Sequence, residues 1–179
     1  MKLFFLPLLA SLLLSFSVGS DDEKFEWQPT ERLTWADFKG VPMPNGDFVA
    51  STNSGISFSY SISFRNGIPS FSYTVTSYFY PQLSWYVPEK VNDHILKHEQ
   101  LHFDISELHA RKLRKRLSKL SDETVTKEKI KKIYNAVEGE RRSMQAAFDF
   151  ESDHSINKKE EQKWQQNIKK LLQHYEPWR

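Results

Sequence analysis

Residues 55–67 read GISFSYSISFRNG, and this stretch decides the fold class. Isoleucine, phenylalanine and tyrosine alternate with serine, and this period of two is typical of a strand with one apolar face. Asn66-Gly67 is a preferred pair for a two-residue hairpin turn. The alternation resumes beyond the turn, with one face made of Phe71, Tyr73, Val75, Ser77 and Phe79. The stretch predicts an antiparallel hairpin whose serine-rich second face is exposed or lines a groove.

The segments before the hairpin carry weaker signals. Residues 50–54 are expected to form a third strand or the approach to the hairpin. Thr34 followed by Asp37 fits a short helical turn with a capping side chain. Residues 21–26 are polar and charged, which indicates a flexible start of the mature chain. The region before the hairpin is therefore expected to contribute little regular structure.

Three helices are predicted after the hairpin. The first covers about residues 88–120, since Pro88 is a good first helical residue and apolar positions then follow a helical period. The second spans about residues 127–148 and the third about residues 158–175. Strands first and helices after indicate an α+β fold. We expect an N-terminal hairpin or small antiparallel sheet packed on a C-terminal set of three helices.

The first helix carries the sequence HEQLH at residues 98–102, a H-E-x-x-H motif. Residues four apart share a helix face, so His98 and His102 point the same way and can bind one zinc ion. Glu99 lies beside them and can act as a general base. His94 could pair with His98 instead, but the position of Glu99 favours the pair formed with His102. The motif predicts a zincin-like active-site helix and a Zn²⁺ cofactor.

A catalytic zinc site needs a third protein ligand and one open position. His109 is excluded, because seven residues of helix rise about 10 Å. Position 108 is a leucine, so the extended motif with a histidine ten residues after the first is not present. Residues 149–154 (DFESDH) lie where the second helix should end. His154 is the first choice for the third ligand, and the alternatives are Asp149, Glu151 and Asp153.

The first residues resemble an export signal. Lys2 precedes an apolar stretch at residues 3–14, and small residues follow at Ser17, Gly19 and Ser20. The predicted division is residues 1–19 as signal peptide and residues 20–179 as a single domain. The apolar stretch is shorter than the roughly 20 residues of a membrane span, so no stable span is expected after cleavage. An exported protein, periplasmic or secreted, is the expectation.

The composition of the chain limits the kinds of molecule that it is expected to bind. The chain contains no cysteine, which excludes disulfides and a lipid-attachment cysteine. The formal net charge is +2, although basic residues are concentrated in residues 111–142. Such runs are usually solvated helix faces, and the base-reading and RNA-binding motifs are absent from the sequence. We expect a peptide or protein substrate as the partner, and no nucleic acid.

Three segments together resemble a bacterial family that is catalogued as a domain of unknown function and described as predicted secreted zinc-dependent proteases. Residues 33–40 (LTWADFKG) are similar to its opening motif, and residues 96–105 (LKHEQLHFDI) to its H-E-Q-x-H-F-D-I helix. Residues 148–154, with Gln162 and Trp164, are similar to a later motif. Two positions depart from the family pattern: Ser152 replaces a threonine and Ser155 a glycine.

The resemblance implies that His98 and His102 bind the metal and that Glu99 is catalytic, and it favours His154 as the third ligand. The leading hypothesis is an exported zinc metallopeptidase whose hairpin presents an edge strand to an extended peptide. The first alternative is a non-catalytic envelope protein with a structural or vestigial zinc site. The others are an amide hydrolase acting on cell-wall peptides, and a binding module that uses the serine-rich sheet face.

Overall fold

The computed structural model describes residues 23–42 and 48–179. Its fold is α+β, with a small antiparallel sheet and three helices, as the sequence predicts. The strands are β1 (Phe25–Glu26), β2 (Ala50–Ser51), β3 (Ser54–Arg65), β4 (Ile68–Phe79) and β5 (Trp85–Tyr86). The helices are α1 (Asp93–Leu117), α2 (Lys127–Ser152) and α3 (Lys158–His174). Short 3₁₀ turns occupy Trp35–Asp37, Pro81–Leu83, Pro88–Lys90 and Glu176–Trp178.

The predicted hairpin is confirmed. β3 and β4 pair antiparallel along their whole length, from Ser54 opposite Phe79 to Arg65 opposite Ile68. Asn66 and Gly67 both have positive φ, 53° and 77°, as a two-residue turn of the right twist requires. Each strand has 12 residues, so the hairpin is the largest part of the sheet.

The short strands differ from the sequence prediction. β1 lies at residues expected to be flexible, and it pairs with β4 to give the order β1-β4-β3. Residues 50–54, expected to form a third strand or the approach to the hairpin, contain β2, which pairs with β5 in a separate two-stranded sheet. Two-residue strands have no periodic pattern of their own. Their place is set by tertiary pairing rather than by local sequence.

The apolar face of the hairpin packs on α1 and α2. Val75 of β4 joins a core cluster with the buried residues Ala110, Leu113, Leu117, Ile130 and Val137. The alternating residues of the two strands cover this cluster, namely Ile56, Phe58, Ile62, Phe71 and Tyr73. Burying one large apolar side chain stabilises the fold by about 1.5–3 kcal/mol. The period of two in the sequence thus places the hairpin against the helices.

α1 begins later than the sequence suggests. Pro88 starts a 3₁₀ turn, and α1 starts at Asp93. Asn92 caps the helix, because its side-chain oxygen accepts hydrogen bonds from the backbone N–H groups of His94 and Ile95. A capping asparagine satisfies two donors that the first turn leaves free. The cap therefore fixes the start of the helix that carries the H-E-x-x-H motif.

Gln100 and Asp104 of α1 hold the N-terminal segment. The side-chain oxygen of Gln100 accepts a hydrogen bond from Leu33 N at 2.7 Å, and its amide nitrogen donates to Asp104 Oδ1 at 2.9 Å. Trp27 Nε1 donates to the same carboxylate at 2.7 Å, and Arg32 pairs with it at 3.1 Å. These two motif residues therefore point away from the motif histidines and join distant parts of the fold.

α2 continues to Ser152, four residues beyond the predicted end at residue 148. No glycine or proline interrupts these residues, so nothing in the backbone stops the helix there. Asp153, His154 and Ser155 then take positive φ angles of 48°, 48° and 74°. The longer helix makes Asp149 and Glu151 helical residues, and this decides which candidate ligand faces α1.

The signal-peptide prediction, residues 1–19, lies outside the described residues. In the described part of the chain, no helix combines the length and the apolar character that a membrane crossing requires.

Candidate metal centre

His98 and His102 lie one turn apart on α1 and face the same space. Their Nε2 atoms are 3.2 Å apart, and their ring centroids are 4.9 Å apart. Both rings are largely buried, with side-chain exposures of 6% and 12%. The predicted pairing of these two histidines is therefore present in the structure.

Asp149 of α2 completes the cluster. Its Oδ1 atom is 2.9 Å from His102 Nε2 and 3.3 Å from His98 Nε2, and the three residues form a group that could hold a metal ion. Zinc binds its ligands at about 2.0–2.1 Å, which places tetrahedral ligand atoms about 3.3 Å apart. The separations in the group are close to that value. The donor set of two imidazoles and one carboxylate suits zinc.

An aromatic wall holds the two rings in place. Phe148 is fully buried and stacks on the His98 ring with centroids 4.4 Å apart. It also meets His102 edge-on at 5.1 Å, and Trp164 of α3 packs behind it at 5.6 Å. Because Phe148 directly precedes Asp149, the packing of one residue sets the position of the next. The hydrophobic core thus brings the α2 carboxylate to the α1 histidines.

Gln145 orients His102. His102 Nδ1 contacts the side-chain oxygen of Gln145, and the amide nitrogen of Gln145 donates to the His102 carbonyl at 2.9 Å. An amide oxygen only accepts hydrogen bonds, so the contact requires a proton on His102 Nδ1. The lone pair of a neutral ring then lies on Nε2, which faces His98 and Asp149.

A buried carboxylate lies behind His98. Glu161 of α3 has no solvent exposure, and its Oε2 atom is 3.7 Å from His98 Nδ1. Burial lowers the pKa of His98, but contacts with Asp149 and Glu161 outweigh it and raise that pKa to about 9. Burial raises the pKa of Asp149, but hydrogen bonds from His102 and His98 dominate and hold it well below its usual range. Without a metal, these shifts describe an ion pair between a protonated His98 and the Asp149 carboxylate.

Glu99 is buried on the neighbouring side of α1. It is 5% exposed, and among the described residues its Oε2 atom has no hydrogen-bond partner. The backbone carbonyl of Glu99 accepts a hydrogen bond from Thr52 Oγ1 at 3.2 Å. Glu99 is not part of the group of three that could hold a metal. This oxygen is therefore available as a hydrogen-bond acceptor.

The structure places the four candidates for the third ligand differently. Asp149 lies in the cluster with the two histidines, whereas His154, the first choice from sequence, does not. The His154 ring instead packs edge-on against Phe48, with centroids 4.9 Å apart. Glu151 accepts a hydrogen bond from Trp164 Nε1 at 2.8 Å, and Asp153 forms the left-handed cap of α2. The geometry thus favours Asp149, which the sequence left as an alternative.

Sequence reasoning missed Gln145 and Glu161. Gln145 lies one turn before Asp149 on the same face of α2. Once Asp149 is taken as a ligand, this spacing indicates that Gln145 also faces the site. Glu161 lies on the apolar stripe of α3, with Trp164 and Ile168 at the next turns. A glutamate on an apolar stripe is seldom buried unless it is paired. The position of Glu161 on this stripe therefore indicates a buried glutamate that interacts with another polar group.

Comparison with known proteins gives one family. The family described as bacterial protein of unknown function (DUF922) matches residues 36–155, more than half of the chain. The matched range contains α1, α2 and all three residues of the cluster. No curated protein and no solved structure matches the chain.

Proposed function

The chain belongs to this bacterial family of unknown function (DUF922), and from that premise we propose that it is an exported zinc-dependent metallopeptidase. One observation carries the proposal. The Nε2 atoms of His98 and His102 and the Oδ1 atom of Asp149 converge at separations of 2.9–3.3 Å, as tetrahedral zinc ligands do. Export is supported by the apolar, signal-like stretch at residues 3–14.

The residues divide into two roles. His98, His102 and Asp149 would hold the ion, and bound zinc supplies a Lewis acid that acidifies water and polarises a peptide carbonyl. Glu99 accepts the proton of the attacking water and passes it to the leaving amine. Its Oε2 atom suits this task, since no described residue donates to it.

The number of protein ligands favours a catalytic zinc over a structural one. Structural zinc sites are closed by four protein ligands, whereas catalytic sites use three. Within residues 23–42 and 48–179, the group contains three ligands. This observation supports the peptidase over a non-catalytic envelope protein with a structural zinc.

The sheet supports an extended peptide as substrate. β3 is an edge strand of the order β1-β4-β3. Its first residue, Ser54, contacts α1 directly, because Ser54 Oγ lies 2.8 Å from Ser106 Oγ and donates to the His102 carbonyl at 3.4 Å. An extended chain can add to such an edge through backbone hydrogen bonds. The start of β3 would then guide a peptide towards the histidine pair.

The first experiment is elemental analysis of tag-free protein. We expect near-stoichiometric zinc in the wild type, and loss of zinc in His98→Ala and Asp149→Ala. His154→Ala is the matched test of the first choice from sequence, and it should keep its zinc. Zinc lost in His154→Ala but kept in Asp149→Ala would return the third ligand to His154. A wild type without zinc, even after zinc is added, would contradict the proposal.

Activity is tested with Glu99→Gln. This variant should bind zinc like the wild type and hydrolyse unfolded protein 10²–10⁴-fold more slowly, since the general base is lost. Full activity in Glu99→Gln would rule out the mechanism. The same assay with cell-wall fragments distinguishes a peptidase from an amide hydrolase of the envelope.

A further inference from the structure

The carboxylate of Glu161 is fully enclosed by protein. Its Oε1 atom accepts a hydrogen bond from Gln165 Nε2 at 3.2 Å, within α3. Its Oε2 atom has no hydrogen-bond partner among the described residues, although His94 Nε2 lies 3.2 Å away. The explanation is that His94 Nε2 is only 2.7 Å from the Ser155 carbonyl, which takes its proton. One oxygen of this buried carboxyl group is thus available as an acceptor.

His98 presents the matching donor. Its Nδ1 atom is also buried and has no hydrogen-bond partner in the described part of the chain. Leaving a buried polar atom unpaired costs about 1–3 kcal/mol. The Glu161 Oε2 atom lies 3.7 Å from His98 Nδ1, so a movement of under about 1 Å makes an ordinary hydrogen bond. His98 Nδ1 and Glu161 Oε2 are thus two neighbouring unpaired atoms, and a hydrogen bond between them would remove both costs.

We propose that Glu161 is a positioning residue of the metal centre, which accepts a hydrogen bond from His98 Nδ1–H. A proton fixed on Nδ1 leaves the lone pair of His98 on Nε2, the atom that faces His102 and Asp149. The inference rests on the proposed function in one respect, that His98 is a metal ligand. It adds a residue from α3 to a site whose other residues come from α1 and α2.

The arrangement around His102 supports this role. His102 Nδ1 contacts the side-chain oxygen of Gln145 on α2, just as His98 Nδ1 faces the side-chain oxygen of Glu161 on α3. Each ring therefore has one acceptor at Nδ1 and the shared metal position at Nε2. A carboxylate is the stronger acceptor, and it strengthens the basicity of the imidazole that it contacts. His98 is thus expected to be the better held of the two ligands.

The test compares Glu161→Leu, Glu161→Gln and the neighbouring control Glu160→Gln, whose parent residue forms a surface pair with Lys163 at 2.6 Å. The first readout is nitrogen-resolved NMR of the metal-free protein. A slowly exchanging proton on His98 Nδ1 is expected in the wild type and in Glu160→Gln. Its loss in Glu161→Leu, with retention in Glu161→Gln, indicates a hydrogen bond and not merely a folded core. Circular dichroism checks that each variant is folded.

The second readout is zinc affinity, measured by competition with a chelator. Glu161→Leu should bind zinc 10–100-fold more weakly, and Glu161→Gln should lie between it and the wild type, because the amide keeps an acceptor but loses the charge. An unchanged Nδ1 proton and unchanged affinity in Glu161→Leu would overturn the inference, whatever the activity. If the wild type binds no zinc but Glu161→Leu still loses the proton, the proposed function fails and the positioning of His98 stands.

Discussion

At the scale of single residues, the candidate metal centre depends on which nitrogen of His98 faces which nitrogen of His102. Helical spacing brings His98 and His102 together but does not choose a ring rotation, because an imidazole has two nitrogens. Phe148 restricts both rings by contact, and acceptors on other helices contact Nδ1. The convergence of the two Nε2 atoms is therefore a result of tertiary packing.

The sequence predicted His98, Glu99 and His102 as a site because their relation is local to one helix. It could not select Asp149 over His154, since four candidates lie within six residues and successive residues of a helix differ by about 100° in direction. The selection depends on whether α2 ends at residue 148 or continues to Ser152. Phe148 is fully buried against His98, His102 and Trp164, and this tertiary packing is not visible in the local sequence pattern.

Ser155 is strained by its backbone. Its φ of 74° lies in the left-handed region, which costs a residue with a side chain about 1–2 kcal/mol relative to glycine. We expect Ser155→Gly to raise the free energy of unfolding by about 0.5–1 kcal/mol, after the greater unfolded-state entropy of glycine is included. Urea denaturation measures the change. The comparison variant is Ser152→Gly, at the last residue of α2, where the lower helix propensity of glycine should reduce the free energy of unfolding by about 0.5 kcal/mol.

His109 makes stability depend on pH. It is fully buried, donates from Nδ1 to the Ile105 carbonyl at 2.9 Å, and burial lowers its pKa to about 4. The unfolded chain binds this proton near pH 6.5. Stability is therefore complete above pH 6.5 and is lost as the pH falls from 6.5 towards 4, by about 2 kcal/mol between pH 6.5 and 5.

Removing His109 should remove this dependence. We expect urea denaturation of chelator-treated His109→Phe to show a smaller loss of stability between pH 6.5 and 5 than the wild type. His174→Asn, which changes an exposed histidine at the end of α3, should behave like the wild type. Identical pH profiles for His109→Phe and the wild type would show that the histidine is not buried in its neutral form.

At the scale of elements, strong local patterns were predicted and short pairings were not. The period of two and the Asn66-Gly67 turn predicted the β3–β4 hairpin, and helical periodicity predicted α1, α2 and α3. β1 and β5 have two residues each, too few for any period. β1 exists because β4 offers a free edge, and its residue Phe25 packs on Phe79 with ring centroids 5.1 Å apart.

The start of α1 depends on one side chain. Asn92 Oδ1 accepts from His94 N at 2.9 Å and from Ile95 N at 3.1 Å. Asn92→Ala should lower the free energy of unfolding by about 0.5–2 kcal/mol, since the first turn then lacks its cap. Asn92→Asp keeps an acceptor and should cost much less. Equal urea midpoints for Asn92→Ala and Asn92→Asp would indicate that the cap does not hold the helix.

At the scale of the whole molecule, the candidate metal centre lies between α1 and α2, the two longest helices of the described residues. His98 and His102 come from α1, and Asp149 comes from α2, so an ion bound there links segments that are separate in the unfolded chain. Binding to the folded state alone raises stability by about 2.7 kcal/mol when free zinc is 100-fold above its dissociation constant. Zinc binding between α1 and α2 should therefore be measurable as an increase in the free energy of unfolding.

We expect zinc to raise the urea midpoint of the wild type, with chelator-treated protein as the reference. Asp149→Ala should lose most of this increase, because the zinc ion then has two protein ligands instead of three. His174→Ala should keep it. An equal midpoint with and without zinc in the wild type, at concentrations that saturate a nanomolar site, would show that the folded protein does not bind the ion preferentially.

Because the site residues come from three helices, they are not all present until late in the synthesis of the chain. The motif histidines are synthesised first, Asp149 about fifty residues later, and Glu161 only with the start of α3. A partly synthesised or partly translocated chain thus contains both histidines without the carboxylates that hold them. On the arrangement proposed above, such a chain would bind zinc more weakly than the finished protein, and the metal affinity would reach its full value only when α3 has packed against α1.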